Sequence, residues 1–279
     1  MKSNKMGSIM RKSLMIALAA LNASLYAVCA YATAYIESPW GTGQFRPAIV
    51  IPALFATVFG PWVGGIGAAI GTLICDSMKH GCLYIPSLVA AVPANFVAFY
   101  LFGYILKKKF SWDRFVTTSV LILFIGNMLC AILLVAYYTF WVPRFAINGI
   151  SDFILLSLGL TAWWFITMLP FQLTLTPPLI KLLSKAIPNV VPDEISKASL
   201  TSPIPMKKFT LALIVPGILM IVIGLLMIAF PSIGMALVGG LRSAELIASL
   251  IKAMFLITGA GAMLVGLGFL LALRLKVFT

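Results

Sequence analysis

The stretch from Arg46 to Asp76 limits what this chain can become. One charge opens it, one closes it, and the 29 residues between them carry none. A single membrane span needs about 20 apolar residues. Yet Phe59-Gly60-Pro61-Trp62 interrupts the run, and proline neither continues a helix nor favours helical backbone just before it. The stretch therefore reads as two short helices meeting at Gly60-Pro61. Small residues crowd its second half: Gly60, Gly64 and Ala68 recur every four residues, as do Gly67 and Gly71. In lipid, such spacing lets neighbouring helices approach backbone to backbone. The expectation is a tight hairpin inside a helical bundle.

Of the 279 residues, 62% are hydrophobic and 10% charged, against about 25% charged in a soluble domain. That composition describes a polytopic membrane protein. Seven or eight apolar stretches can be counted, over residues 13–36, 47–59, 62–75, 84–106, 115–141, 154–180, 209–230 and 246–273. With eight helices and the N-terminus in the cytoplasm, 15 Lys and Arg fall on cytoplasmic segments. Only 5 fall outside: Arg46, Lys79, Arg144, Arg242 and Lys252. The positive-inside rule then predicts both termini inside. The net charge of +13 marks loop ends rather than one polar face, so a nucleic-acid role is not indicated. The first apolar run is too long for a signal h-region of about 7–15 residues and reads as a retained helix. Cys29, Cys75, Cys82 and Cys130 form no CxxC pair, so no metal centre is indicated. Cys75 and Cys82 flank an outer loop, where both a disulfide and free thiols stay open.

Several residues stand out. Ala19, Ala23 and Ala27 line one face of the first helix, a smooth strip whose plain reading is packing. Asn22 is polar and mid-span, and must bond to another helix. The outer loop Glu37–Arg46 holds Trp40 and Phe45, which suit an interfacial belt or a lid. His80 is the only histidine; a loop position is its default and ligand contact the alternative. Asn95, Asn127 and Gln172 lie within apolar stretches, with Trp163 and Trp164 beside them. Buried amides in a membrane usually face a bundle interior or a cavity. Such a set suits a small polar, partly aromatic ligand, although bonds between helices explain the amides as well. Pro170, Pro177 and Pro178 predict a kink in the sixth helix. Residues 186–207 read as a cytoplasmic linker. Arg242, Glu245, Ser249 and Lys252, spaced 3, 4 and 3, form a polar stripe ahead of the last helix.

Much chemistry is missing. There is no GxxxxGK[ST] phosphate loop, no HExxH and no DDxxD. All seven acidic residues sit at helix ends or loops, whereas ion-coupled pumps usually keep an ionisable group at mid-membrane. An enzyme is the poorer reading, and neither cofactor nor catalytic residue is assigned.

Over roughly residues 11–186 the chain resembles the substrate-binding S components of energy-coupling factor (ECF) transporters, which capture vitamins. Three features carry the resemblance. One is the alanine strip Ala19, Ala23, Ala27. Another is the pattern Arg46…Pro52…Phe59-Gly60-Pro61…Gly64…Gly67…Asp76. The third is the proline-broken final helix around Pro170 and Gln172. The resemblance implies an all-α six-helix bundle over 1–186, followed here by a linker over 187–207 and an added pair of transmembrane helices over 208–279. It implies that Ala19, Ala23 and Ala27 couple to a transmembrane T component driven by two cytoplasmic ATPases. It makes the loop Glu37–Arg46 a lid, and places Trp40, Arg46, Asp76, His80, Asn95, Asn127, Trp163 and Trp164 around the substrate near the outer face. The competing reading is a stand-alone transporter or channel. Outer charges of both signs leave the vitamin open between a cation such as thiamine and an anion such as biotin, pantothenate or a flavin nucleotide.

Overall fold

The computed structural model describes residues 12–145, 147, 149–238 and 244–274. Arg242 of the expected polar stripe lies outside them. The architecture is all-helical, with a single isolated bridge, Glu37 to Gln44, among the described residues.

Helix α1 (Lys12–Tyr31) leads into a loop over residues 32–46. A short 3-10 turn then opens α2 (Val50–Phe59), and α3 (Pro61–His80) follows directly. Gly60 alone makes the corner. Its φ of +90° lies where residues with a Cβ are strained, and Pro61 starts α3, where its missing N–H costs nothing. The two arms pack as the spacing predicts: a Cβ built on Gly64 would sit 2.3 Å from that of Ala56.

The other faces of α3 receive other helices. Gly65 meets Phe96 and Tyr100 of α4 (Val92–Lys108), while Gly67 and Gly71 meet Asn22, Ala23 and Tyr26 of α1. Asn22 Nδ2 donates to the Val63 carbonyl at 3.0 Å, so the mid-span amide does bond across helices. This packing takes up the alanine strip. Ala19, Ala23 and Ala27 are 7%, 3% and 2% exposed. The smooth face of α1 fits the glycine groove of α3. The outward face of α1 carries Leu14, Leu21, Leu25 and Val28 instead.

Helix α4 begins with a wide π turn over Ser87–Ala91. Pro93 has no N–H for the carbonyl four residues back, and Val92 N instead reaches the Ser87 carbonyl. Helices α5 (Trp112–Phe140) and α6 (Ile150–Ala186) complete the bundle. The latter runs through Pro170, Pro177 and Pro178 without ending. Its 37 residues extend roughly 55 Å, longer than the hydrocarbon layer.

The segment after α6 is not structureless. It forms α7 (Asp193–Thr201), with Val191 and Ile195 buried and Ser199 Oγ 3.1 Å from Ser184 Oγ of α6. Helix α8 (Met206–Ala229), short α9 (Pro231–Val238) and α10 (Ala244–Arg274) follow. Helices α8 and α10 pack chiefly on each other, with lighter contact to α5 and α6.

Six of the described helical segments are long and apolar enough to cross a membrane, against the eight expected. The 10 residues of α2 reach roughly 15 Å, half the hydrocarbon thickness. The polar end of α3, with Asp76, Lys79 and His80, lowers its apolar character. All four cysteines are free, Cys75 and Cys130 buried.

Candidate functional site

A cavity of about 240 Å³ lies at the end of the bundle where residues 32–46, 81–84 and the segment after α5 come together. Its lining descends along α4 and α5. Ala90, Ala94 and Ala98 supply one wall with little side chain, and Gly126 and Asn127 lie on α5. Met168 and Trp164 of α6 add an apolar and an aromatic face.

Six of the eight residues expected around a substrate line this cavity: Arg46, Asp76, His80, Asn95, Asn127 and Trp164. Trp40 and Trp163 are not among its lining residues. Trp40 is 2% exposed and seated on α6, where a Cβ on Gly159 would come within 2.6 Å of the indole. It anchors its loop. Trp163 is buried in the helix core.

Four of the charged side chains that line the cavity form two ion pairs. Arg46 Nη2 lies 2.5 Å from Asp76 Oδ1 and donates to Gln44 Oε1 at 2.6 Å, while Nη1 donates to Thr72 Oγ1. Arg46 and Asp76 are 7% and 5% exposed. A buried guanidinium needs such partners, because isolated burial costs several kcal/mol. At the rim Lys79 pairs with Glu37. Arg144 donates from Nη2 to the Gly41 carbonyl at 2.6 Å. His80 stacks on Tyr84 with centroids 3.7 Å apart, its Nδ1 2.8 Å from the Asp76 carbonyl oxygen. Tyr84 in turn shares a 2.8 Å hydroxyl contact with Tyr138.

The amides are less fully used. Asn95 Nδ2 donates to the Ala91 carbonyl at 2.9 Å, which leaves its Oδ1 as an acceptor. Asn127 Nδ2 and Ser87 Oγ are buried without a hydrogen-bond partner. Buried polar groups are normally satisfied, so these mark the cavity wall as polar ground prepared for something else.

Sequence reasoning missed Gln44, Ser87, Tyr84 and Phe99, all of which line the cavity. It also missed the Ala90, Ala94, Ala98 wall. That wall had a signal, since it repeats every four residues just as the strip on α1 does. Gln44 had none, because its place follows from Arg46 folding back onto α3.

No curated protein and no solved structure matches the chain. The family model described as ECF-type riboflavin transporter, S component, matches residues 11–157, which is 147 of the chain's 279 residues. This span runs from the start of α1 into the first turns of α6 and takes in most of the cavity. Members of such families bind vitamin-type substrates and work with T and ATPase subunits, and they are not enzymes. The chain belongs to the S components of ECF-type transporters, and is a multi-pass protein of the cell membrane.

Proposed function

We propose that this chain captures riboflavin, or a neutral vitamin of similar shape, and delivers it inward with T and ATPase subunits. The observation that carries the reading is the pairing of charge around the cavity. Arg46 is held by Asp76, and Lys79 by Glu37. A cation such as thiamine or an anion such as pantothenate would have to compete with those pairs. A neutral ligand need not, and the family description names riboflavin. Pockets for small ligands are mostly apolar, with a few placed polar groups. Here the slim alanine wall accepts a flat ring beside Trp164 and Phe99, while Asn95, Asn127 and Ser87 supply hydrogen-bonding groups.

In this reading the cavity opens outward and both termini lie in the cytoplasm, as the distribution of Lys and Arg favours. Residues 1–186 form the binding unit, 187–207 a cytoplasmic linker carrying α7, and 208–279 a two-helix extension. The loop Glu37–Arg46 is the lid. Partner contact moves from the buried alanines to the outward face of α1. Arg46, Asp76 and His80 shape the site, and Trp164 and Asn127 touch the ligand.

The test is direct. Small molecules released from the purified protein are identified by mass spectrometry, and riboflavin is titrated while its fluorescence is followed. Saturable quenching with one site per chain is expected. A charged vitamin as the bound species, with no response to riboflavin, would overturn the substrate.

A further inference from the structure

We propose that Arg144 is the latch that sets how fast ligand exchanges with the cavity, and that the loop over residues 32–46 opens at its tip while Trp40 stays seated. The ligand in this statement rests on the proposed function; the latch itself rests on geometry.

The loop is fixed at both ends. On one side Trp40 fills the notch at Gly159. On the other, Phe45 packs edge-on against Phe171 with centroids 5.6 Å apart, and Arg46 is locked to Asp76. Between these anchors the tip, Gly41-Thr42-Gly43, lines the cavity. Both tip glycines have positive φ, +65° and +78°, backbone that glycine adopts freely. The tip's cross-loop hydrogen bond comes from Arg144 Nη2 to the Gly41 carbonyl, across 103 residues of sequence.

Arg144 is exposed, but its base is tied down. Its backbone N–H donates to the Tyr138 carbonyl at 3.1 Å, and its guanidinium lies 5.4 Å from the centre of the Tyr138 ring. Tyr138 reaches Tyr84, which carries His80. The latch therefore joins all three loop segments at this end of the bundle. To uncover the cavity, something must let go. One exposed hydrogen bond on a long side chain yields sooner than a buried Trp40, a half-buried Phe45 and a buried ion pair.

The experiment uses the full chain in lipid nanodiscs, comparing the parent with Arg144→Met and Arg144→Lys. Arg144→Met keeps the stem and removes the donor. It should raise both association and dissociation rates of riboflavin by about tenfold, the scale of one charge-assisted hydrogen bond. The equilibrium constant should move less than about twofold, and Arg144→Lys should fall between. Faster dissociation alone, with weaker binding, would make Arg144 a ligand contact and overturn the latch. So would unchanged rates.

A second readout needs no vitamin. Cys130 is buried and lines the cavity. In a background carrying Cys29→Ser, Cys75→Ser and Cys82→Ser, its reaction with a small cationic methanethiosulfonate reports opening. Arg144→Met should speed that reaction by about tenfold, and an equal rate in parent and variant overturns the proposal. If the parent fails to bind riboflavin, the substrate reading falls and the Cys130 kinetics alone decide the latch.

Discussion

Two helix seams in this molecule are built with the same device and serve different ends. Where α1 meets α3, Gly67 and Gly71 admit Asn22, Ala23 and Tyr26. Where α8 meets α10, Gly217 and Gly259 lie so close that a Cβ on either would come within 2.9 Å of the other's carbonyl oxygen. The two seams differ in the polar groups they carry among the described residues. Asn22 bonds to α3, and Arg46 and Asp76 are buried close by. On the second, the Thr258 hydroxyl merely bonds its own helix at Met254 and meets the Met220 sulfur. Small-residue spacing thus reports close approach and nothing more. The buried pair Arg46–Asp76, by contrast, does line the cavity.

Charge offers the sharpest way to break that comparison. Asp76→Ala would strand the buried Arg46 guanidinium, at a cost of roughly 3–5 kcal/mol. The protein should lose its thermal transition in detergent, or drop far in melting temperature, and lose riboflavin binding with it. The control is the other ion pair that touches the C-terminal helices, Lys208 with Asp113 at 2.7 Å. Both partners are more than half exposed, so Asp113→Ala should cost less than about 1 kcal/mol. Equal effects would show that burial does not separate the two regions.

Next in size is Ala23→Trp. On a partner-facing strip it would block assembly and spare binding. With Ala23 3% exposed and its carbonyl oxygen 2.7 Å from a Cβ on Gly71, the indole has nowhere to go. Overpacking of this kind costs about 1–3 kcal/mol or more. Stability and flavin binding should fall together. A variant that folds and binds normally but fails only to assemble would return the alanine face to the partner.

The broken run at Gly60-Pro61, the two packing glycine series and the polar positions Arg46, Asp76, Asn95 and Asn127 were legible in the sequence. Each depends on local rules: proline geometry, a repeat of four, the cost of a polar group in lipid. The direction of the alanine strip was not legible. A repeat of four states that residues share a face and leaves open which neighbour covers it, and the glycines of α3 decided that. The seat of Trp40 was not legible for a related reason. An aromatic in a glycine-rich loop suits a cover as well as an anchor until the notch at Gly159 is known.

A smaller effect is expected from removing residues 203–279. Because α8 and α10 pack chiefly on each other, and none of the cavity's lining residues comes from them, riboflavin affinity should stay within a few-fold of the parent. The melting temperature should fall, since the lighter contacts with α5 and α6 are lost. Loss of binding in a shortened chain that still melts cooperatively would make the pair part of the binding unit.

The smallest effect separates the two faces of α10. Gly261 has nothing within 4 Å of a built Cβ, while Gly259, two residues earlier, would meet the Gly217 carbonyl at 2.8 Å. Helix propensity favours alanine over glycine by about 0.8–1 kcal/mol where space is free. Gly261→Ala should therefore raise the melting temperature slightly, and Gly259→Ala should lower it by forcing the two backbones apart. Melting curves of the two variants beside the parent decide the matter, because propensity acts alike at both positions and only the neighbour differs. If Gly261→Ala were the damaging change, the outward face of α10 would be in contact with another chain, and the C-terminal pair would be a seam with a partner rather than a seam within itself.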